Sequence, residues 1–186
     1  MHRTHLSNWL CHRCRPNCHH AWHSTLKRQT VHALRDIAAG EEITVAYVGG
    51  AELGVRESRR AKLLRQYHFA CGCEACRLEG TELARSEVRQ RRIAEIQSAL
   101  PTWPEDLPSL VDELLQLLAD EGMPTVWGAS GMLLAVVRCQ QRGDLASAAA
   151  WARRGADCAL VALGEDSSLH CKFESLAAAF GRAVRA

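Results

Sequence analysis

Three cysteines stand close together at Cys71, Cys73 and Cys76. The spacing Cys-x-Cys-x-x-Cys can turn three thiolates toward one tetrahedral ion, with Gly72 allowing a tight bend. A closed structural zinc site needs four ligands, so the fourth must come from elsewhere in the chain. The candidates are Cys11, Cys14, Cys18 and the histidines near them. Cys14 is the first choice among them, since it precedes Arg15-Pro16-Asn17, where the proline fixes the backbone. Buried free thiols are the competing reading, but so dense a group beside a glycine favours a metal. A separate finger built on Cys11, Cys14, His19 and His23 fails on spacing. Only four residues separate Cys14 from His19, where a finger uses about a dozen. Cys139, Cys158 and Cys171 fall on apolar faces of expected helices and are assigned to the core.

The elements that must position these residues divide the chain in two. Residues 1–16 read as irregular. Cys18 to Ser24 is a short strand, Thr30 to Arg35 alternates with period two, and Ile43 to Val48 is β-branched and extended. Gly40, in Asp36-Ile37-Ala38-Ala39-Gly40, suits a turn with positive φ. Val55 to Tyr67 is helical, with Leu63, Leu64 and Tyr67 at helical spacing, and the cysteine loop follows it. Beyond Gly80 the periodicity is helical throughout: about Leu83 to Leu100, Leu107 to Glu121, Trp127 to Gln141, Asp144 to Leu163 and Ser167 to Val184, punctuated by prolines and glycines. Leu145, Ala149, Ala152, Ala156, Leu160 and Leu163 share one face of the fourth of these. The last two form an antiparallel pair about the size of a tetratricopeptide unit, without a second copy of that repeat's signature.

The totals bound the function. A chain of 186 residues with 47% hydrophobic residues can bury a core, and a net charge of +2 does not by itself point to nucleic acid. The first 35 residues carry six Lys or Arg and no Asp or Glu. They lack the aromatic interleaving of a nucleic-acid reader, so direct nucleic-acid binding is not expected. The start has no basic-then-apolar leader, and no apolar run approaches a membrane span. A membrane partner is not expected, and a reducing, nuclear or cytoplasmic setting fits the odd count of nine cysteines.

Three stretches together resemble one family. Cys14-Arg15-Pro16-Asn17, then Gly40 to Tyr47 (GEEITVAY), then Tyr67 to Cys76 (YHFACGCEAC) resemble the C-terminal half of a SET domain with its post-SET cysteines. The likeness is nearest to SET-and-MYND-type and related fungal lysine methyltransferases, and it covers about residues 8–80. It implies an α+β fold: a partial SET β-fold over 1–48, a post-SET helix and zinc loop over 49–80, and an all-helical, tetratricopeptide-like region over 81–186. It implies one structural zinc on Cys14, Cys71, Cys73 and Cys76. It implies S-adenosylmethionine as methyl donor, with Tyr47 as the catalytic tyrosine and Cys11, His12 and Phe69 lining the cofactor. Asn17 is expected to satisfy buried backbone groups where the two motif segments cross. The partner implied is a lysine-bearing protein, histones among the candidates.

The chain departs from the family motif in two ways. Where the family reads Asn-His-Ser-Cys, this chain reads Cys11-His12-Arg13-Cys14. A thiol is a poor hydrogen-bonding substitute for the amide that meets the cofactor's amino-acid end. The family's N-terminal half and its MYND module are not found before residue 8, so the chain is expected to be N-terminally truncated. The alternative to an enzyme is therefore a non-catalytic, zinc-stabilised protein-interaction module.

Overall fold

In the computed structural model, residues 10–49 and 54–185 are described. Four short strands come first: β1 (Cys11–His12), β2 (Cys18–His23), β3 (Arg28–Ala33) and β4 (Thr44–Val45). They form two separate pairs, β1 parallel to β4 and β2 antiparallel to β3. Seven α-helices follow: α1 (Arg56–Tyr67), α2 (Glu74–Arg77), α3 (Gly80–Ala99), α4 (Leu107–Asp120), α5 (Ala129–Gln141), α6 (Leu145–Leu163) and α7 (Ser168–Ala183). Residues 10–49 are thus less β-rich than their periodicity suggests. Of the extended stretch Ile43 to Val48, only Thr44 and Val45 find a ladder partner. The third strand runs two residues earlier than expected, because its register is set by pairing Cys18 with Ala33 and His23 with Arg28.

The crossing of the two N-terminal segments is pinned by Asn17, which is 2% exposed. Its Nδ2 donates to Glu41 Oε1 and to the Glu42 carbonyl, both at 2.9 Å. Its Oδ1 accepts from the Thr44 N–H at 2.8 Å and from the Thr44 hydroxyl at 3.2 Å. A buried amide that uses both ends in this way leaves no polar group orphaned.

The helical region follows its caps and apolar spacing. Asp144 and Ser167 cap α6 and α7 by accepting from Ser147 N–H and His170 N–H. In α4, Leu107, Val111, Leu114, Leu115 and Leu118 form the buried stripe. In α6 the buried face is Ala148, Ala149, Ala152, Ala156 and Ala159. Gly155 lets α7 come close, since a Cβ there would overlap the Phe173 ring. Leu160, expected on this face, points to solvent at 43% exposure. Of the three cysteines assigned to the core, Cys139 is buried, Cys158 is half-buried and Cys171 is exposed. Cys171 lies on the outer side of α7, its thiol donating to the Glu165 carbonyl.

One buried carboxylate ties the layers together. Glu121, just past the end of α4, is 0% exposed. It accepts from Ser86 Oγ at 2.7 Å, Gln90 Nε2 at 3.0 Å and Arg89 Nε at 2.5 Å, all on α3. It also accepts from Arg15 at 3.3 Å, on the loop that follows Cys14.

Candidate metal centre and adjoining aromatic cluster

The chain before α2 is aimed by the end of α1. His68 takes a left-handed conformation (φ 60°) and its N–H donates to the Leu64 carbonyl. The turn sends Phe69 and the cysteines back beneath the helix. There Leu63, 0% exposed, packs with Val48, Ala75 and the thiols. Leu64, its neighbour in sequence, is 56% exposed. Cys73 caps α2 from outside, and Cys76 N–H and Arg77 N–H both donate to its carbonyl. This single turn puts the side chains of residues 73 and 76 on one side. At Gly72 a Cβ would meet nothing within 4 Å, and φ is not positive, so the bend does not require glycine.

Cys14 arrives from the other segment, and the four sulfurs of Cys14, Cys71, Cys73 and Cys76 lie within 4.8 Å of one another. Cys14 Sγ and Cys76 Sγ are 3.6 Å apart. Ligands at the usual zinc–sulfur length stand about 3.8 Å apart around a tetrahedral ion. Cys14, Cys71 and Cys76 are buried and Cys73 is half-buried. The group can therefore hold a metal ion with sulfur alone. Its protons are already unequally shared. The hydrogen bond from Cys14 holds the Cys71 thiol far below its ordinary value. The same donor, with help from Cys76, lowers Cys73 to about 5. Cys14 is pushed up by its bonds to Cys71, Cys73 and Cys76 and by burial. A metal takes such cysteines as thiolates, so binding would release their protons.

Beside the sulfurs is an aromatic cluster. The His12 ring lies 5.3 Å from Tyr47 and 5.9 Å from Phe69, and Phe69 meets Tyr47 edge-on at 6.2 Å. Tyr67 lies 4.9 Å from the Tyr47 ring and donates its hydroxyl to the Tyr47 carbonyl at 3.3 Å. The Tyr47 hydroxyl donates to the Leu10 carbonyl at 2.5 Å. Burial, then the nearby Cys11 and Tyr67, raise the Tyr47 pKa, so the phenol stays protonated at neutral pH. His12 Nδ1 accepts from the Tyr47 N–H at 3.0 Å, and its Nε2 lies 3.5 Å from Cys14 Sγ.

Cys11 is exposed, and the nearby Glu42 carboxylate raises its pKa. Arg13 stands between Glu42 at 3.5 Å and Glu74 at 3.4 Å. His12, Arg13, Glu42 and Phe69 border a shallow cavity of about 190 Å³ against the cysteine loop. The structure thus brings Tyr47, His12, Phe69 and the four metal-site cysteines into one neighbourhood, with Cys11 at its outer edge.

Sequence reasoning missed three supporting residues. Arg59 of α1 is 1% exposed and donates to the Gly54 carbonyl at 2.6 Å and to Gln90 Oε1. Its sequence setting, a run of basic residues, reads as a solvated face and gives no signal. Tyr67 was visible as a helical position and as the start of the YHFACGCEAC stretch, but not as a partner of Tyr47. Glu121 carried a usable sign: a glutamate at a helix C-terminus opposes the helix dipole, and it survives there when specific donors hold it.

The SET domain family model matches residues 1–48. Histone-lysine N-methyltransferase set5 of Schizosaccharomyces pombe is 28% identical over 173 residues, covering 90% of this chain and 53% of the relative. Histone-lysine N-methyltransferase Smyd1 of Mus musculus is 41% identical over 76 residues, covering 35% of this chain and 15% of the relative. Histone-lysine N-methyltransferase SMYD3 of Homo sapiens is 33% identical over 99 residues, covering 48% and 22%. The chain spans about half the length of set5 and less of the others. Residues 1–48 thus match a SET domain, and the chain is similar in sequence to histone-lysine N-methyltransferases.

Proposed function

We propose that this chain serves S-adenosylmethionine-dependent methylation of protein lysines, with a zinc ion on Cys14, Cys71, Cys73 and Cys76 holding its cofactor-side loop in place. The observation that carries the reading is the convergence of four sulfurs and the Tyr47–His12–Phe69 cluster from segments far apart in sequence. An all-sulfur, closed set suits zinc in a structural role. On this reading residues 49–80 act as a post-SET element, and the helices beyond them form a tetratricopeptide-like flank.

S-adenosylmethionine would supply an electrophilic methyl group to a neutral lysine amine attacking in line, with the neutral thioether S-adenosylhomocysteine as the leaving group. The chain's own residues provide position. Tyr47 presents a neutral phenol whose proton is committed to the Leu10 carbonyl, leaving oxygen lone pairs to orient polarised C–H and N–H groups. Phe69 offers an aromatic face at the shallow cavity, where the cofactor's base would stack. Cys11 would stand at the cofactor's amino-acid end. The histone-directed names of the relatives make histones the first substrates to try, in a nuclear or cytoplasmic setting. No helix among the described residues is long and apolar enough to cross a membrane.

One observation favours a second reading, a non-catalytic interaction module. Arg13, which borders the cavity, is paired with both Glu42 at 3.5 Å and Glu74 at 3.4 Å, so charged groups at the cavity's edge are turned toward each other. Calorimetry of S-adenosylmethionine against zinc-loaded protein separates the two. Micromolar binding, followed by methyl transfer to histone, supports the enzyme. A folded protein with one zinc and no cofactor binding rejects it in favour of the module.

A further inference from the structure

His12 occupies an unusual junction. Its Nδ1 lies 3.0 Å from the backbone nitrogen of Tyr47, which can only donate. Nδ1 must therefore be the unprotonated, accepting nitrogen. A neutral ring then carries its proton on Nε2, and Nε2 faces Cys14 Sγ at 3.5 Å. The sulfur is the acceptor of an N–H···S bond. Both ring nitrogens are used, and the Tyr47 and Phe69 rings lie against the imidazole at 5.3 and 5.9 Å. The surrounding backbone is also fixed, since His12 pairs with Val45 and the Arg13 N–H donates to the Val45 carbonyl at 3.1 Å.

We infer that His12 is a positioning residue that joins the metal site to Tyr47, in the Nε2–H tautomer, by donating to the Cys14 sulfur while accepting from the Tyr47 amide. The inference rests on the zinc reading for its sulfur half and on hydrogen-bond geometry alone for its Tyr47 half. Four thiolates around a divalent ion carry excess negative charge. An N–H···S bond withdraws part of that charge from Cys14 and keeps it a better-held ligand. The same ring sets the backbone on which the Tyr47 side chain is mounted. An empty or displaced metal site is thereby reported to Tyr47 through one imidazole.

The decisive measurement is the tautomer of His12 in the zinc-loaded full chain, read from long-range proton–nitrogen-15 correlations. The Nε2–H form is expected, and an Nδ1–H form overturns the inference. Two variants extend the test. His12→Phe keeps a ring in the cluster but removes both nitrogens. His12→Gln retains one acceptor and one donor about as far apart as the ring nitrogens. His12→Phe should weaken zinc, measured by competition with a chromophoric chelator, by about tenfold or more, and should speed hydrogen exchange of the Tyr47 amide. His12→Gln should remain close to the parent in both. Unchanged zinc affinity in folded His12→Phe overturns the link to the metal, and unchanged exchange overturns the link to Tyr47. A parent chain that binds no zinc fails the zinc reading itself, which stoichiometry shows before any variant is made.

Discussion

Glu121 offers the sharpest test of what holds the two halves of the chain together. It is fully buried and meets two arginines, a glutamine and a serine. Glu121→Gln keeps the volume but removes the charge. A hydrogen bond involving a charged group contributes about 1.5–3 kcal/mol; the glutamine leaves each guanidinium with a neutral partner and turns one accepting oxygen into an NH2 that faces other donors, so the arginine contacts together weaken by about 2–3 kcal/mol. The Arg15 and Arg89 side chains are 29% and 27% exposed, and water recovers part of the loss. The expected destabilisation is about 2 kcal/mol. Glu121→Ala strips every acceptor from two largely buried cations and should cost about 3–5 kcal/mol. Urea unfolding with zinc at saturation in every sample reads both; at a slope of about 2 kcal/mol per molar, Glu121→Gln shifts the midpoint by about 1 M. The pH dependence has a fixed sign. Burial pushes the Glu121 pKa up, but the bonds from Gln90, Ser86 and Arg89 outweigh it and hold the carboxyl below its ordinary value of 4.5. Its contribution is present above that value and fades as pH falls toward the folded-state pKa. The gap between parent and Glu121→Gln should therefore narrow below about pH 4.5. An unchanged midpoint at neutral pH in Glu121→Gln would refute the claim that this charge secures the junction.

Cys73→Ser should lose the metal and loosen residues 67–80; full metal stoichiometry in that variant would sink the ligand assignment. Leu63→Ala, beneath the cysteine loop, should destabilise by about 2–5 kcal/mol in the same urea assay. His19 is held down to about 4, chiefly by burial and then by His20 and His32. The unfolded chain thus takes up a proton first, and stability should fall as pH drops from about 6.5 toward 4, by no more than about 3 kcal/mol. His19→Gln should flatten that decline, and an unaltered slope would place the acid sensitivity elsewhere. Gly155→Ala should lower the melting temperature, because the added methyl meets the Phe173 ring.

The parts legible in the sequence were those with local causes. Asp144 and Ser167 announce the starts of α6 and α7, and the stripe from Leu107 to Leu118 announces α4. The cysteine set was legible as three local ligands. Spacing alone left the fourth open between Cys11, Cys14, Cys18 and nearby histidines, and in the structure it is the Cys14 sulfur that lies within 4.8 Å of the other three. What failed depended on which long-range partner wins. Leu160 and Ala156 share a helical face, but the close α6–α7 approach at Gly155 shifts the buried stripe onto the alanines. Arg59 is written like any surface arginine, and only the meeting of α1 with α3 buries it.

The placing of the four sulfurs along the chain also dictates an order of assembly. Cys71, Cys73 and Cys76 are neighbours, whereas Cys14 stands more than fifty residues away. Closing so long a segment costs about 3.5 kcal/mol beyond the constant for any loop. The near trio can capture an ion before that closure, and the captured ion then offers its last open position to Cys14. Metal would in this way act as a template during folding as well as a support afterwards. Stopped-flow refolding should show docking of the N-terminal segment accelerated by metal added beforehand, while metal added after refolding should leave that rate as it was.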